Sequence, residues 1–148
     1  MLMAILLGSC GPNYSFKETK DIPEKGWSYQ NKLSFDFEVN DTSQLHDLFI
    51  QIEHKETFST QNIYVNVYTG MKGEALKKNE ISLELFSKLG LPIGSCRNEL
   101  CKTLIPIQTS TFFDKVGTYV FEIEQNNRAN PLRDIQSVTF LIQKGGTK

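Results

Sequence analysis

Strict alternation of apolar and polar residues dominates the chain from about position 33 onward. Leu33, Phe35, Phe37 and Val39 alternate with Ser34, Asp36 and Glu38. Successive side chains of an extended strand point to opposite faces, so this spacing predicts a strand with one buried and one wet face. The scheme returns in Leu48, Ile50 and Ile52 against Gln51 and Glu53, and in Ile63, Val65 and Val67 against Tyr64, Asn66 and Tyr68. It is clearest in Tyr119, Phe121 and Ile123 against Glu122 and Glu124. Ile81, Leu83 and Leu85 predict a further strand, although the spacing from Leu83 to Leu91 also suits a short helix. Thr103 to Ile107 predicts an edge strand or a bulge, because Pro106 has no N–H to give a ladder. Ile135 to Gln143 supplies the last strand.

Turn-forming residues separate these runs at Asn40 to Ser43, Thr69 to Gly73 and Asn126 to Arg133. About seven or eight strands with no helix between them predict an all-β, antiparallel two-sheet sandwich of jelly-roll-like topology. Residues 27–144 are assigned to it. Ahead of it, residues 10–26 read as a polar lead-in with room for one short edge strand, and residues 145–148 read as a frayed tail.

Composition narrows the function classes. A length of 148 residues fits one domain with a real core. Sixteen Lys and Arg against seventeen Asp and Glu leave a net charge of −1, so no overall field attracts nucleic acid, which is not expected as a partner. No stretch approaches the roughly 20 apolar residues of a membrane-spanning helix, so any membrane attachment has to be covalent.

Leu6-Leu7-Gly8-Ser9-Cys10 resembles the bacterial lipobox, in which the Cys thiol accepts diacylglycerol and the chain is cut before it. That resemblance makes residues 1–9 a signal peptide and Cys10 the lipid anchor. No Lys or Arg precedes the apolar run Leu2 to Leu7, which is shorter than the roughly 7 to 15 residues of a signal core, so the start reads as clipped or mis-assigned. The alternative is a cytoplasmic protein with an apolar first turn and a buried Cys. Setting Cys10 aside leaves Cys96 and Cys101, spaced C-x4-C. In an exported domain they suggest a disulfide that pins a turn, with free thiols as the alternative. Metal is disfavoured: zinc wants about four ligands, and only His46 and His54 are at hand, both in strand-like context.

Over essentially its whole length the chain resembles the gliding-motility lipoproteins of the GldH type found in Bacteroidetes-like bacteria. The resemblance is carried by Cys10, Gly26-Trp27, Leu33 to Val39 followed by Asp41-Thr42, Leu48-Phe49-Ile50 and Gln61 to Val65. Above all it is carried by Gly117 to Gln125 with Arg128, Pro131-Leu132, Ile135 and Val138. Gly90 to Gly94 departs from the family pattern by leading into the cysteine pair, so no role is transferred to that loop. The resemblance implies a non-catalytic part of the envelope machinery for gliding and the associated protein secretion. It implies attachment to a membrane through lipid on Cys10, envelope proteins as partners, and no cofactor. Gly11-Pro12-Asn13 after the anchor, in place of an acidic run, favours a periplasm-facing position.

Candidate site residues are few. Tyr64 and Tyr68 share the face opposite Ile63, Val65 and Val67 and offer a surface for a partner protein or a glycan. The glycan reading makes a carbohydrate-binding module of the envelope the alternative function. Either ring is also open to covering by a cross-strand neighbour. Glu124, Gln125 and Arg128 suit a partner contact or an ion pair that closes the following loop. Trp27, the only tryptophan, is expected to plug one end of the sandwich. His46 and His54 lack a nucleophile in a strained elbow, Ser43 lies in a polar turn, and no metal spacing or phosphate cradle is present, so no catalysis is expected.

Overall fold

Each alternating run becomes a strand, and the strands pair into two antiparallel sheets in the computed structural model, which describes residues 13–147. The elements are β1 (Tyr14–Asp21), β2 (Leu33–Val39), β3 (Gln44–Lys55), β4 (Asn62–Met71), β5 (Lys77–Glu84), β6 (Ser95–Arg97), β7 (Leu100–Thr111), β8 (Gly117–Gln125) and β9 (Ile135–Thr147). One sheet has the order β1-β9-β3-β7-β6 and the other β2-β8-β4-β5. Setting aside the three-residue β6, the chain changes sheet at every connection except the β4–β5 hairpin, and the strands interleave as in an eight-stranded jelly roll.

The inward rows follow the pattern read from the sequence. Leu33, Phe35, Phe37 and Val39 of β2 face Leu48, Ile50 and Ile52 of β3 and Val138, Phe140 and Ile142 of β9 across the core, all buried. Rings from both sheets converge on Phe140. It stacks on Phe121 at 4.1 Å between centroids and tilts against Phe35, Phe37 and Phe16 at 5.7, 5.7 and 5.8 Å. The row on β3 ends in a histidine on either side, His46 before Leu48 and His54 after Ile52.

Four differences from the sequence reading have physical causes. Tyr14–Asp21, placed in the lead-in, is a full eight-residue edge strand against β9, so the sheets begin well before residue 27. Its polar residues are tolerated because an edge strand is only half covered. The supposed tail at 145–148 continues β9 as far as Thr147, opposite Gln44, whose side-chain amide donates to the Gly145 carbonyl at 2.8 Å. Backbone pairing holds this stretch although its glycines have nothing to pack. No helix forms between Leu83 and Leu91: β5 stops at Glu84, and Ser87 to Gly90 turn tightly so that Phe86 bridges Pro92. Among the described residues the count is nine strands because Ser95–Arg97 folds back on Leu100–Lys102. Pro106 lies opposite Phe49, beside register shifts at Leu48, on the stretch of β7 that has no outer neighbour among the described residues.

Tyr14, Val39, Met71 and Thr111 lie at one end of the sandwich, the entry end, where β1 starts. Asp21, Leu33, His54, Asn62 and Ile135 mark the far end.

Candidate functional site

At the far end the residues that carried the family resemblance meet. Trp27 and Leu132 exchange two backbone hydrogen bonds of 2.8 Å, and the Trp27 indole N–H donates to the Asn31 carbonyl at 2.8 Å. Gln125 closes the β8–β9 loop: its Nε2 donates to the carbonyls of Ala129 (2.9 Å) and Trp27 (3.3 Å), and its Oε1 accepts from the Asn127 N–H at 2.8 Å. Gly26 makes the approach possible. It has φ +115, and a Cβ there would lie 2.9 Å from both the Leu132 oxygen and Pro131 Cβ. Trp27 is fully buried and does plug this end. The ion pair envisaged for Arg128 is absent among the described residues, and the buried Gln125 amide closes the loop instead.

The loop so fixed organises a surface. Asn127 imitates a strand partner for Tyr64: its Oδ1 accepts from the Tyr64 N–H at 2.9 Å and its Nδ2 donates to the Tyr64 carbonyl at 3.0 Å. The Tyr29 hydroxyl donates to the Asn127 carbonyl, and the Tyr29 N–H to Asn130 Oδ1 at 2.9 Å. Two tyrosines, 42% and 54% exposed, therefore stand on one loop. Tyr29 and Asn127 escaped the sequence reading, since contacts spanning 98 and 63 residues leave no local pattern.

Tyr68 stands apart from this pair. Its hydroxyl donates to Glu124 Oε1 at 2.5 Å, and Lys32 Nζ lies 4.2 Å from its ring centroid. The hydrogen bond to Glu124 raises the Tyr68 phenol above its ordinary value, helped by partial burial and the charges of Glu124 and Glu122. Burial pushes the Glu124 carboxyl up, but hydrogen bonds from Tyr68 and Asn66 and the charges of Lys32 and Lys78 outweigh it and hold the group below the usual carboxylate range. Of the two tyrosines singled out on β4, only Tyr64 presents an open ring.

Cys96 and Cys101 face each other across the β6–β7 hairpin and are joined as a disulfide. Cys101 is buried, Cys96 is exposed, and the bond ties the short strand to the sheet edge. The neighbouring Gly94 passes so close to β7 that a Cβ would lie 2.2 Å from the Lys102 oxygen. Residues 1–9, expected to be a signal peptide, and Cys10, expected to carry the lipid, lie outside the described residues.

The histidines close the row of β3 at either end. His54 is fully buried between Phe58 and Phe86, hydrogen-bonded through Nε2 to Thr103 Oγ1 at 3.1 Å and through Nδ1 to the Lys55 carbonyl at 3.0 Å. Burial lowers its pKa, and the Lys55 carbonyl opposes this only in part. His46 lies at the entry end with its ring 5.3 Å from Phe113, and neither of its nitrogens has a hydrogen-bond partner among the described residues. Burial and then the charge of Lys144 lower its pKa against Asp41 and Asp47. It lines a cleft of about 800 Å³ between β1 and β2, together with Tyr14, Phe16, Phe37, Phe113 and Lys144. No three potential metal-ligating side chains cluster among the described residues. None of these groups places a base beside a nucleophile.

Comparison with known proteins gives a relative, distant solved structures and a family. The "Gliding motility lipoprotein GldH homolog" of Christiangramia forsetii is 22% identical over 147 residues, covering 95% of this chain and 90% of its own. Among solved structures, a carbohydrate-binding module specific for non-crystalline cellulose aligns over 88% of this chain and 75% of its own, at 10% identity and TM-score 0.41. The infectious bursal disease virus VP2 subviral particle aligns over 92% of this chain and 36% of its own, at 10% identity and TM-score 0.30. Structural likenesses that distant say nothing of ligand or role. The model of the GldH lipoprotein family, by contrast, matches residues 14–142, which takes in β1 to β8 entirely and most of β9, and the chain belongs to that family.

Proposed function

We propose that this GldH lipoprotein is anchored by lipid on Cys10, faces the periplasm, and serves as a non-catalytic component of the gliding motility machinery and the protein secretion associated with it. It works by binding other envelope proteins. The observation that carries this reading is how the residues on which the family resemblance was read are used. Trp27, Gln125 and Leu132 are engaged in backbone hydrogen bonds that make one end of the sandwich rigid. Residues used in that way build a scaffold, and a scaffold that holds Tyr29 and Tyr64 open offers aromatic anchors for a protein surface. Covering of Tyr68 by Lys32 and Glu124 removes the second ring of the aligned pair that a sugar-stacking strip on β4 would use.

The anchoring is tested by Cys10→Ser. Cys10 precedes the first described strand in sequence, so the variant folds but leaves the membrane fraction, while the wild type takes up a fatty-acid analogue and has the mass of a chain cut before Cys10 plus acyl groups. An unlabelled wild-type protein in the soluble fraction refutes it. The partner reading is tested by pulldown of the lipidated protein from envelopes, with Tyr29→Ala and Tyr64→Ala together as the control. A set of partners that is empty, or unchanged by the double variant, refutes docking through this surface.

A further inference from the structure

We propose that the entry end of the sandwich rests on the lipid bilayer, with Phe112 and Val116 of the β7–β8 loop in the interfacial layer. This rests on anchoring at Cys10. From position 10 to Tyr14, where β1 begins, is four residues, which reach at most about 14 Å at roughly 3.3–3.6 Å per residue whatever conformation they take. β1 then runs the length of the sheet, so its eight residues carry the far end roughly 25 Å further away at about 3.3 Å per residue. The end nearest the anchor gathers the start of β1, the turn at 40–43, the hairpin tip at 72–76 and the loop at 112–116.

That loop is rigidly built. Phe113 is wedged against Phe37, His46 and Tyr119 at 5.7, 5.3 and 4.8 Å, and the Tyr119 hydroxyl donates to the Lys115 carbonyl at 2.9 Å. On either side of these fixed points, Phe112 and Val116 are 43% and 61% exposed. Partly exposed apolar side chains on a rigid loop are what an interfacial contact needs, since little conformational freedom is lost on insertion. Charge does not drive the contact. Among the described residues Lys72 is paired with Asp36 at 2.6 Å, and Lys77, Lys78, Lys115 and Lys144 are balanced by Glu38, Asp41, Asp47, Glu74 and Asp114, so this end carries no net basic charge to favour anionic lipid. Two side chains would not hold a free protein on a membrane, but an anchor a few residues away raises their local concentration enough for a weak insertion to set the orientation. The more exposed Leu89, Leu91 and Ile93 follow β5 at the far end and point to a different occupant.

The test uses the full lipidated protein in phosphatidylcholine and phosphatidylethanolamine liposomes. An environment-sensitive fluorophore is placed singly on Val116→Cys, Lys115→Cys, Leu89→Cys and Glu80→Cys, and nitroxide is carried near the lipid headgroups. The expected result is a blue-shifted probe at positions 115 and 116, quenched several-fold more than at position 89 at the far end or position 80 on the β5 edge, with no dependence on salt. The Lys115 probe keeps the test open if a label at Val116 disturbs the loop. Intact mass separates the two ideas. Protein without acyl groups refutes anchoring and this inference with it, whereas acylated protein with positions 115 and 116 as water-accessible as position 89 refutes only the orientation. Quenching strongest at position 80 means that the domain lies on its flank, and shielding at 116 that appears in native envelopes but not in liposomes means a protein covers this end. Either outcome overturns the proposal.

Discussion

Phe140→Ala tests whether the two sheets are held together as the ring geometry implies. The ring is fully buried on β9 and touches Phe16 of its own sheet and Phe35, Phe37 and Phe121 of the opposite one. Truncating a buried Phe costs about 3–5 kcal/mol through lost transfer energy and the cavity left behind. Offset or tilted ring pairs add about 0.5–1.5 kcal/mol each beyond buried area, which puts this position at the upper end, about 4–5 kcal/mol. At roughly 2–4 °C per kcal/mol for a domain of this size, the midpoint falls by about 8–20 °C. Trp27 is the only tryptophan and is fully buried at the far end, so its fluorescence in a thermal or urea titration reports loss of the whole sandwich. Phe140→Leu, which keeps most of the volume, falls between the two. A drop below about 3 °C for Phe140→Ala would show that the sheets do not interdigitate at this ring.

Other consequences are equally direct. The pKa of His54 and of His46 is lowered in the folded state, so the unfolded chain takes up protons first as pH falls through about 6.5, and stability present above that pH is lost below it. Urea midpoints that stay level or rise between pH 7.5 and 5.5 contradict this. Gly26→Ala forces a side chain into the Leu132 carbonyl at a left-handed φ and is expected to cost about 1–3 kcal/mol, seen as a lower urea midpoint with an unchanged slope. Asn127→Ala removes the partner of the Tyr64 N–H, while the Tyr64 carbonyl keeps the Asn126 N–H at 2.8 Å, and costs about 1 kcal/mol, since water reaches this edge, whereas Tyr64→Ala stays within about 0.5 kcal/mol. A larger loss for Tyr64→Ala than for Asn127→Ala would reverse the roles assigned to the two.

The sequence by itself determined the strand class, most strand positions and the inward faces, because burial on one face of a sheet imposes a period of two that nothing else in a chain produces. Leu33 to Val39 and Tyr119 to Ile123 are buried where their alternation put them. Membership of the GldH lipoproteins was equally legible, since Gly26-Trp27, the Gly117 to Gln125 strand and Pro131-Leu132 stand in a fixed order along the chain. Tertiary structure alone decided three things. Half-covered edges such as Tyr14–Asp21 and backbone-held stretches such as Gly145 to Thr147 carry no apolar period, so only their ladders to β9 and β3 mark them as strands. Tyr64 and Tyr68 look equivalent at a spacing of four, yet Glu124 and Lys32, distant in sequence, cover one and leave the other open. Trp27, Gln125, Asn127 and Leu132 act together only after folding, because their contacts join backbone groups up to 105 positions apart, and a hydrogen bond to a carbonyl depends on where the chain passes rather than on which residue passes there.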